Sequence, residues 1–241
     1  MEQTDKKCYA SGMKTVIISG TNHRGSTYRI ARNLAEKVGG ETVEFFLPHD
    51  FGEFCLGCTN CILNSETKCP HHEKLLPITQ AISEADLTIL SSPTYVYHVT
   101  GAMKALLDHY GYIWMAHRPE PGMFKKQAVA ITTAAGAGMG STLKDMADSL
   151  FFWGTARVYK LGFAVAAMNW DSINEKKKKK IDKKTNALAK KITRRNGKVK
   201  PGFKTKAFFF LMHLMEKNGW NQADSKYWHE KGWTEKNRPW K

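Results

Sequence analysis

Short β-branched apolar runs alternate with stretches whose apolar residues recur every three or four positions, and this alternation organises most of the chain. Lys14–Ser19 ends at Gly20 and reads as a buried strand. Thr27–Val38 carries Ile30, Ala31, Leu34, Ala35 and Val38 at helical spacing, and Gly39-Gly40 stops it. Glu41–Phe46 reads as a second strand, Leu75–Ser83 as a helix, and Asp86–Ser91 as a third strand broken by Pro93. Gly101–Tyr110 predicts a helix and Gln127–Thr133 a fourth strand. Gly136, Gly138 and Gly140 mark a turn before a helix over Ser141–Phe152, and Arg157–Ala166 supplies a fifth strand. Glu175–Arg195 predicts a Lys-rich helix with Ile181, Leu188 and Ile192 on one side.

Strands alternating with helices in this way predict an α/β fold: a parallel sheet with helices on both faces. Five such strands suit the flavodoxin-like order 2-1-3-4-5, whose ligands gather at the carboxyl ends of strands 1, 3 and 4. Here those ends are Ser19–Ser26, Ser92–Val99 and Thr133–Gly138, stretches rich in Gly, Ser, Thr and Tyr. The domain is expected to run over residues 1–199, with a basic, aromatic-rich helical extension over 200–241.

Charge sharpens that division. Residues 1–171 hold 16 Lys+Arg and 16 Asp+Glu, whereas 172–241 hold 21 and 6, so the entire net charge of +15 lies in the last seventy residues. A basic tail can seek nucleic acid or anionic lipid, but a solvated helix face with contacts to a partner subunit is preferred, and nucleic acid is not expected. No apolar run is long enough to span a bilayer. The segment after Met1 is polar, without the apolar core of a signal peptide, which makes the cytoplasm the expected compartment.

Four of the five cysteines fall within fifteen residues, Cys55-x2-Cys58-x2-Cys61-x7-Cys69, inside a loop spanning 55–69; Cys8 stands apart. Disulfides suit small secreted scaffolds, and structural zinc usually uses two C-x2-C pairs with a longer insert. The compact run fits an iron–sulfur cluster of the [4Fe-4S] type, with plain thiols lining a loop as the competing account. His71 and His72 follow Cys69 closely and offer alternative ligands, although solvated polar residues explain them as well.

The three strand-end loops carry the remaining chemistry. Ser19, Thr21, Gly25, Ser26 and Thr27 lead into a helix N-terminus and form a phosphate cradle, with Arg24 or His23 adding charge. Ser26 stands where a Walker A loop requires Lys, so triphosphate hydrolysis is not expected, and no dinucleotide fingerprint is present. In the second loop Pro93 stiffens the strand exit, Thr94 and Val96 offer backbone groups, and Tyr95 and Tyr97 can wall an aromatic ring. Thr133, Ala134 and Gly136 in the third are small enough to admit a flat ring system.

With Ser19–Thr27, Ser92-Pro-Thr-Tyr95, Gly101-x2-Lys104-x3-Asp108 and the cysteine run in place, the chain resembles the NADPH-dependent FMN reductase family of flavodoxin-like proteins, specifically the iron–sulfur flavoproteins, over about residues 14–167. The resemblance implies FMN at the three loops, NAD(P)H as a possible electron donor, a small-molecule or protein redox partner, and a homo-oligomer, dimer or tetramer. The implied activity is that of an FMN-dependent oxidoreductase or electron-transfer flavoprotein, with no side-chain acid or base required. The alternatives are a cluster-free NAD(P)H-dependent quinone or flavin reductase and a non-enzymatic regulatory module. The chain departs from the family pattern at Gly20-Thr-Asn-His, at Ser26-Thr27, and at His71-His72-Glu73, where an acidic pair is usual.

The extension packs Phe208, Phe209, Phe210, Trp220, Trp228, Trp233 and Trp240 into a short tail. Such apolar surface needs cover, and a second subunit roofing the flavin edge is the expected cover, with Trp228 and Trp233 at the contact.

Overall fold

A computed structural model describes residues 12–241; Cys8 and the polar segment after Met1 lie outside them. Five parallel strands, β1 (Lys14–Ser19), β2 (Glu41–Phe46), β3 (Leu87–Ser91), β4 (Gln127–Ala134) and β5 (Arg157–Ala164), pair in the order β2-β1-β3-β4-β5. The helices are α1 (Ser26–Val38), α2 (Asn60–Leu63), α3 (His72–Glu84), α4 (Gly101–His109), α5 (Met139–Phe152), α6 (Glu175–Arg195), α7 (Phe203–Lys217) and α8 (Gln222–Glu230). The flavodoxin-like sheet and its order agree with the strand–helix alternation of the sequence.

β3 and β4 are buried along their whole length, which explains their continuous apolar runs. Successive residues alternate between two cores. Val16, Ile18, Leu90, Ala128 and Ala130 face α3, α4 and α5, while Ile17, Ile89, Val129 and Ile131 face α1 and α6. Helix α6 buries Ile181, Thr185, Leu188, Ala189 and Ile192 and leaves most of its lysines outside. Its charge is the solvated face of an ordinary packed helix.

The tail forms a third core on its own chain. Phe209, Met212, Trp228 and Trp233 close over Met115 and Phe124, with Trp228 fully buried and Trp233 3% exposed. This corrects the expectation that Trp228 and Trp233 meet a second subunit. Their cover is the segment between α4 and β4, to which the Trp228 indole N–H also donates, reaching the His117 carbonyl at 2.5 Å. Among the described residues no helix is long and apolar enough to cross a membrane.

Candidate functional site

At the carboxyl edge of the sheet the three loops enclose a cavity of about 630 Å³, a usual size for a small-ligand pocket. Thr21, His23, Arg24, Gly25, Ser26 and Thr27 line it from the first loop, Pro93, Thr94 and Tyr95 from the second, and Thr133 and Ala134 from the third. Four residues read from the sequence do not. Ser19 is buried, with its hydroxyl 3.3 Å from that of Ser91. Val96 and Tyr97 stand exposed at the tip of a turn, and Gly136 is exposed beyond the lining residue Ala135. The sequence reading also missed a wall: Val165 and Ala167–Asp171, with Trp170 the largest side chain, close the cavity after β5. They follow a strand end just as the other loops do, and that topology was the available signal.

Hydroxyl pairs fasten the loops to one another. Thr27 and Thr133 approach at 2.6 Å, Thr94 and Thr132 at 3.1 Å, and the Thr142 hydroxyl donates to Thr94 at 2.9 Å. Thr100 caps α4 and donates to the Gly20 carbonyl at 2.6 Å. A side chain at Gly20 would meet that Thr100 oxygen at 2.7 Å, so the closeness of the two loops requires glycine.

The mouth of the cavity is electropositive. Helix α1 begins at Gly25 without a side-chain cap and without an acidic residue in its first turn. Its opening residues, Ser26, Thr27 and Tyr28, line the cavity with no carboxylate in their own turn, as suits a phosphate, and Asp171 is the one acidic residue of the lining. The Arg24 guanidinium lies over the rings of Tyr28 and Phe46 at 5.8 and 5.4 Å from their centroids. Donor set, hydroxyls and volume fit the phosphate monoester and flat ring of FMN.

Beside this cavity the second loop is strained. Tyr95 and His98 exchange backbone hydrogen bonds of 2.9 and 3.0 Å, and the residues between them, Val96 and Tyr97, have φ of 47° and 68°. A two-residue turn of this kind favours Asn-Gly, and a β-branched residue there is costly. The Asp145 carboxylate braces the turn, accepting from the Val99 N–H at 3.3 Å and lying 2.9 Å from His98 Nδ1.

The cysteine loop leaves the same sheet edge after β2. Gly57, with φ of 64°, turns the chain between Cys55 and Cys58, and Cys61 lies on α2. Cys55 and Cys58 are exposed, Cys61 and Cys69 half-buried, and all four are free thiols. Burial pushes the Cys61 thiol up, and the neighbouring Cys69, Cys55 and Cys58 add to the effect. Among the described residues the one set of three or more Cys, His, Asp or Glu side chains whose ligand atoms all lie within 4.8 Å is Cys69, His71 and His109. No three of the four thiols form a set that compact. His72 is not part of the compact set.

Arg118 holds the loop from behind. Its guanidinium donates to the Ile62 carbonyl at 2.9 Å, to the Cys61 carbonyl, and to the fully buried Asp224 carboxylate on α8. His117 Nδ1 lies 2.7 Å from the other Asp224 oxygen, and Asn221 Nδ2 donates to Ile62 at 3.3 Å. None of this was visible in the sequence, because the partners are separated by more than fifty positions, and those on α8 by more than a hundred.

Residues 13–171 match the family described as NADPH-dependent FMN reductase. An iron–sulfur flavoprotein of Archaeoglobus fulgidus is 29% identical over 162 residues, covering 64% of this chain and 70% of that protein. One of Clostridioides difficile is 29% identical over 180 residues, covering 70% and 74%. With other iron–sulfur flavoproteins of Archaeoglobus fulgidus and Methanocaldococcus jannaschii the match spans only about half of the relative's length. Among solved structures, the NAD(P)H:quinone oxidoreductase from Methanothermobacter marburgensis superposes with a TM-score of 0.56 at 18% identity, covering 73% of this chain and 96% of that one. A flavone reductase gives 0.57 at 14%, covering 79% and 66%. At these identities the two structures bear on the fold alone.

Proposed function

The chain belongs to the NADPH-dependent FMN reductase family and is an FMN-dependent oxidoreductase, and from that premise we propose that it is an electron-transfer flavoprotein with two redox groups on one sheet edge. On this reading FMN occupies the cavity lined by Thr21–Thr27, Pro93–Tyr95 and Thr133–Ala134, and Cys55, Cys58, Cys61 and Cys69 hold a [4Fe-4S] cluster. The observation that carries it is the pairing of a helix N-terminus without an acidic first turn opening into a large cavity with four free thiols on the adjoining loop.

The chemistry would be that of the bound groups: FMN exchanges electrons in ones or twos, and a cluster passes them singly. The residues would bind and orient. The first turn of α1 and Arg24 would hold the phosphate, Thr94 and Tyr95 would flank the ring, and Trp170 would limit water on the β5 side. NAD(P)H is the proposed donor, and a small molecule or redox protein the acceptor. The exposed side chains Phe54, Leu56 and Leu63 around the thiols would give such a partner apolar contact. Residues 1–199 then form the redox domain and 200–241 its buttress. A homo-oligomer belongs to the same reading, supported by Phe203, Phe210, Leu211 and Leu214 left exposed on α7, and so does a cytoplasmic location, where free thiols persist.

A second reading, a cluster-free NAD(P)H-dependent quinone or flavin reductase, is favoured by the exposure of Cys55 and Cys58. Anaerobic purification followed by FMN, iron and acid-labile sulfide analysis separates the two. About four iron and four sulfide per chain support the cluster; a yellow, iron-free protein that still oxidises NAD(P)H with quinone supports the second reading.

A further inference from the structure

His71-His72 follows the fourth cysteine of the loop by two and three positions, and the proposed redox centres make no use of it. His71 is the residue just before α3, and its Nδ1 lies 2.9 Å from Nε2 of His109, at the end of α4. His109 is 3% exposed. The Cys69 sulfur completes a group whose three ligand atoms all lie within 4.8 Å of one another.

We propose that Cys69, His71 and His109 form a mononuclear binding site for a soft divalent metal of the zinc type, sharing only Cys69 with the four-thiolate set.

Both imidazoles are oriented from outside, as those of metal ligands generally are. His109 Nδ1 lies 2.7 Å from the Ala105 carbonyl, so it carries the proton and its Nε2 lone pair points at His71. On the far side of His71, Nε2 faces a Glu53 carboxylate oxygen at 3.9 Å, and Lys74 holds the other Glu53 oxygen. Without metal, the His71 Nδ1 proton bridges to His109. Moving that proton to Nε2, toward Glu53, leaves two nitrogen lone pairs aimed at one point. Neither histidine loses a proton overall, and Cys69 gives up one as it binds as thiolate, so one proton leaves per metal ion.

The dimensions are close to those required. Zn–N bonds of about 2.0–2.1 Å in a tetrahedron place two nitrogens roughly 3.3 Å apart. The observed 2.9 Å therefore opens by about 0.4 Å, within the reach of two ring rotations. Phe51 packs edge-on against His109 at 4.9 Å and closes the inner side. Half-exposed Cys69 leaves the outer side for a water as fourth ligand. Two nitrogens and one sulfur select zinc, cobalt or nickel over calcium or magnesium. Because Cys69 also belongs to the four-thiolate set, a chain that holds the mononuclear ion cannot hold a complete cluster.

The test uses full-length, FMN-loaded protein, freed of iron and reduced, with Co²⁺ as the probe. One Co²⁺ per chain should bind, giving tetrahedral visible bands and a near-ultraviolet thiolate charge-transfer band, and one equivalent of Zn²⁺ should displace it. A double variant, Cys55→Ser with Cys58→Ser, should keep the spectrum. Cys69→Ser should lose the charge-transfer band. His71→Ala should weaken binding at least tenfold while retaining FMN, which shows that it is folded, and Glu53→Gln should weaken it about 10–100-fold. Absence of the bands, their loss in the double variant, or an unchanged affinity in His71→Ala would each overturn the proposal. These outcomes do not depend on whether iron and sulfide ever assemble on the loop.

Discussion

Arg118 and Asp224 form a buried ion pair that ties the C-terminal extension to the cysteine loop. The Asp224 carboxylate is inaccessible to solvent and the Arg118 side chain is 9% exposed, yet the same guanidinium reaches the carbonyls of Cys61 and Ile62. Removing one partner from such a pair leaves the other charged and unsatisfied, at about 3–5 kcal/mol. Asp224→Ala should lose stability on that scale in urea unfolding. In native buffer Cys61 should also react faster with a thiol reagent, read by mass mapping. An unchanged Cys61 rate would mean that α8 does not support the loop.

Trp228→Ala should cost about 3–5 kcal/mol, because Trp228 stacks on Phe209 at 4.7 Å and meets Trp233 edge-on at 5.3 Å. Light scattering should report the same quaternary state for variant and parent. Dissociation without loss of stability would return Trp228 to a subunit contact.

Arg24→Ala should weaken FMN binding by about 10–100-fold, the worth of one charge-assisted bond to phosphate. Flavin fluorescence titration measures it, and riboflavin, which has no phosphate, should bind both proteins equally. A loss that is the same for riboflavin would remove Arg24 from the phosphate's surroundings.

Glu216 is buried in α7, and desolvation, with the nearby Asp224 carboxylate adding to it, raises its carboxyl from 4.5 to about 7, against the opposing Ser225 hydrogen bond. Between those values the folded protein binds more protons than the unfolded chain. Stability therefore falls as pH rises from about 4.5 to about 7 and then levels off. Glu216→Gln should flatten that decline and gain on the order of 1–3 kcal/mol at pH 8, measured by denaturant midpoints at pH 5 and 8. A variant whose decline matches the parent would place the titration elsewhere.

Val96→Asn should stabilise the protein by about 1 kcal/mol, since Asn tolerates the left-handed conformation that Val resists. Val96 is 93% exposed, so it has no packing to lose. A destabilised variant would mean that Val96 meets a partner in solution.

The sheet was legible because strands covered on both faces must be apolar throughout, and β1 to β5 are bounded by Gly, Pro and polar loops. Residues at the ends of β1, β3 and β4 could be named for the same reason: topology fixes where loops converge before any side chain is placed. The extension was harder to read. Phe208, Phe209 and Phe210 form one apolar block in the sequence, but on a helix neighbours point about 100° apart. Phe209 is fully buried and Phe210 is 54% exposed. Helix α3 starts at His72, three residues before its apolar period begins, with Pro77 inside it. Helix α8 contributes too few apolar residues to show a period. His109 drew no notice because a lone histidine on a buried helix signals nothing until His71, 38 positions away, is placed against it.

Asn221 reaches back across 159 positions to the carbonyl of Ile62, and Asp224 acts at a similar remove through Arg118. During synthesis at about 5–20 residues per second, the four thiols of the loop leave the ribosome roughly 8–30 s before the residues that brace them. For that interval the nascent chain carries soft metal ligands with no finished scaffold behind them. On the proposed reading, metal loading would be tied to completion of the polypeptide, and the timing of cofactor delivery in the cell would become part of how this protein matures.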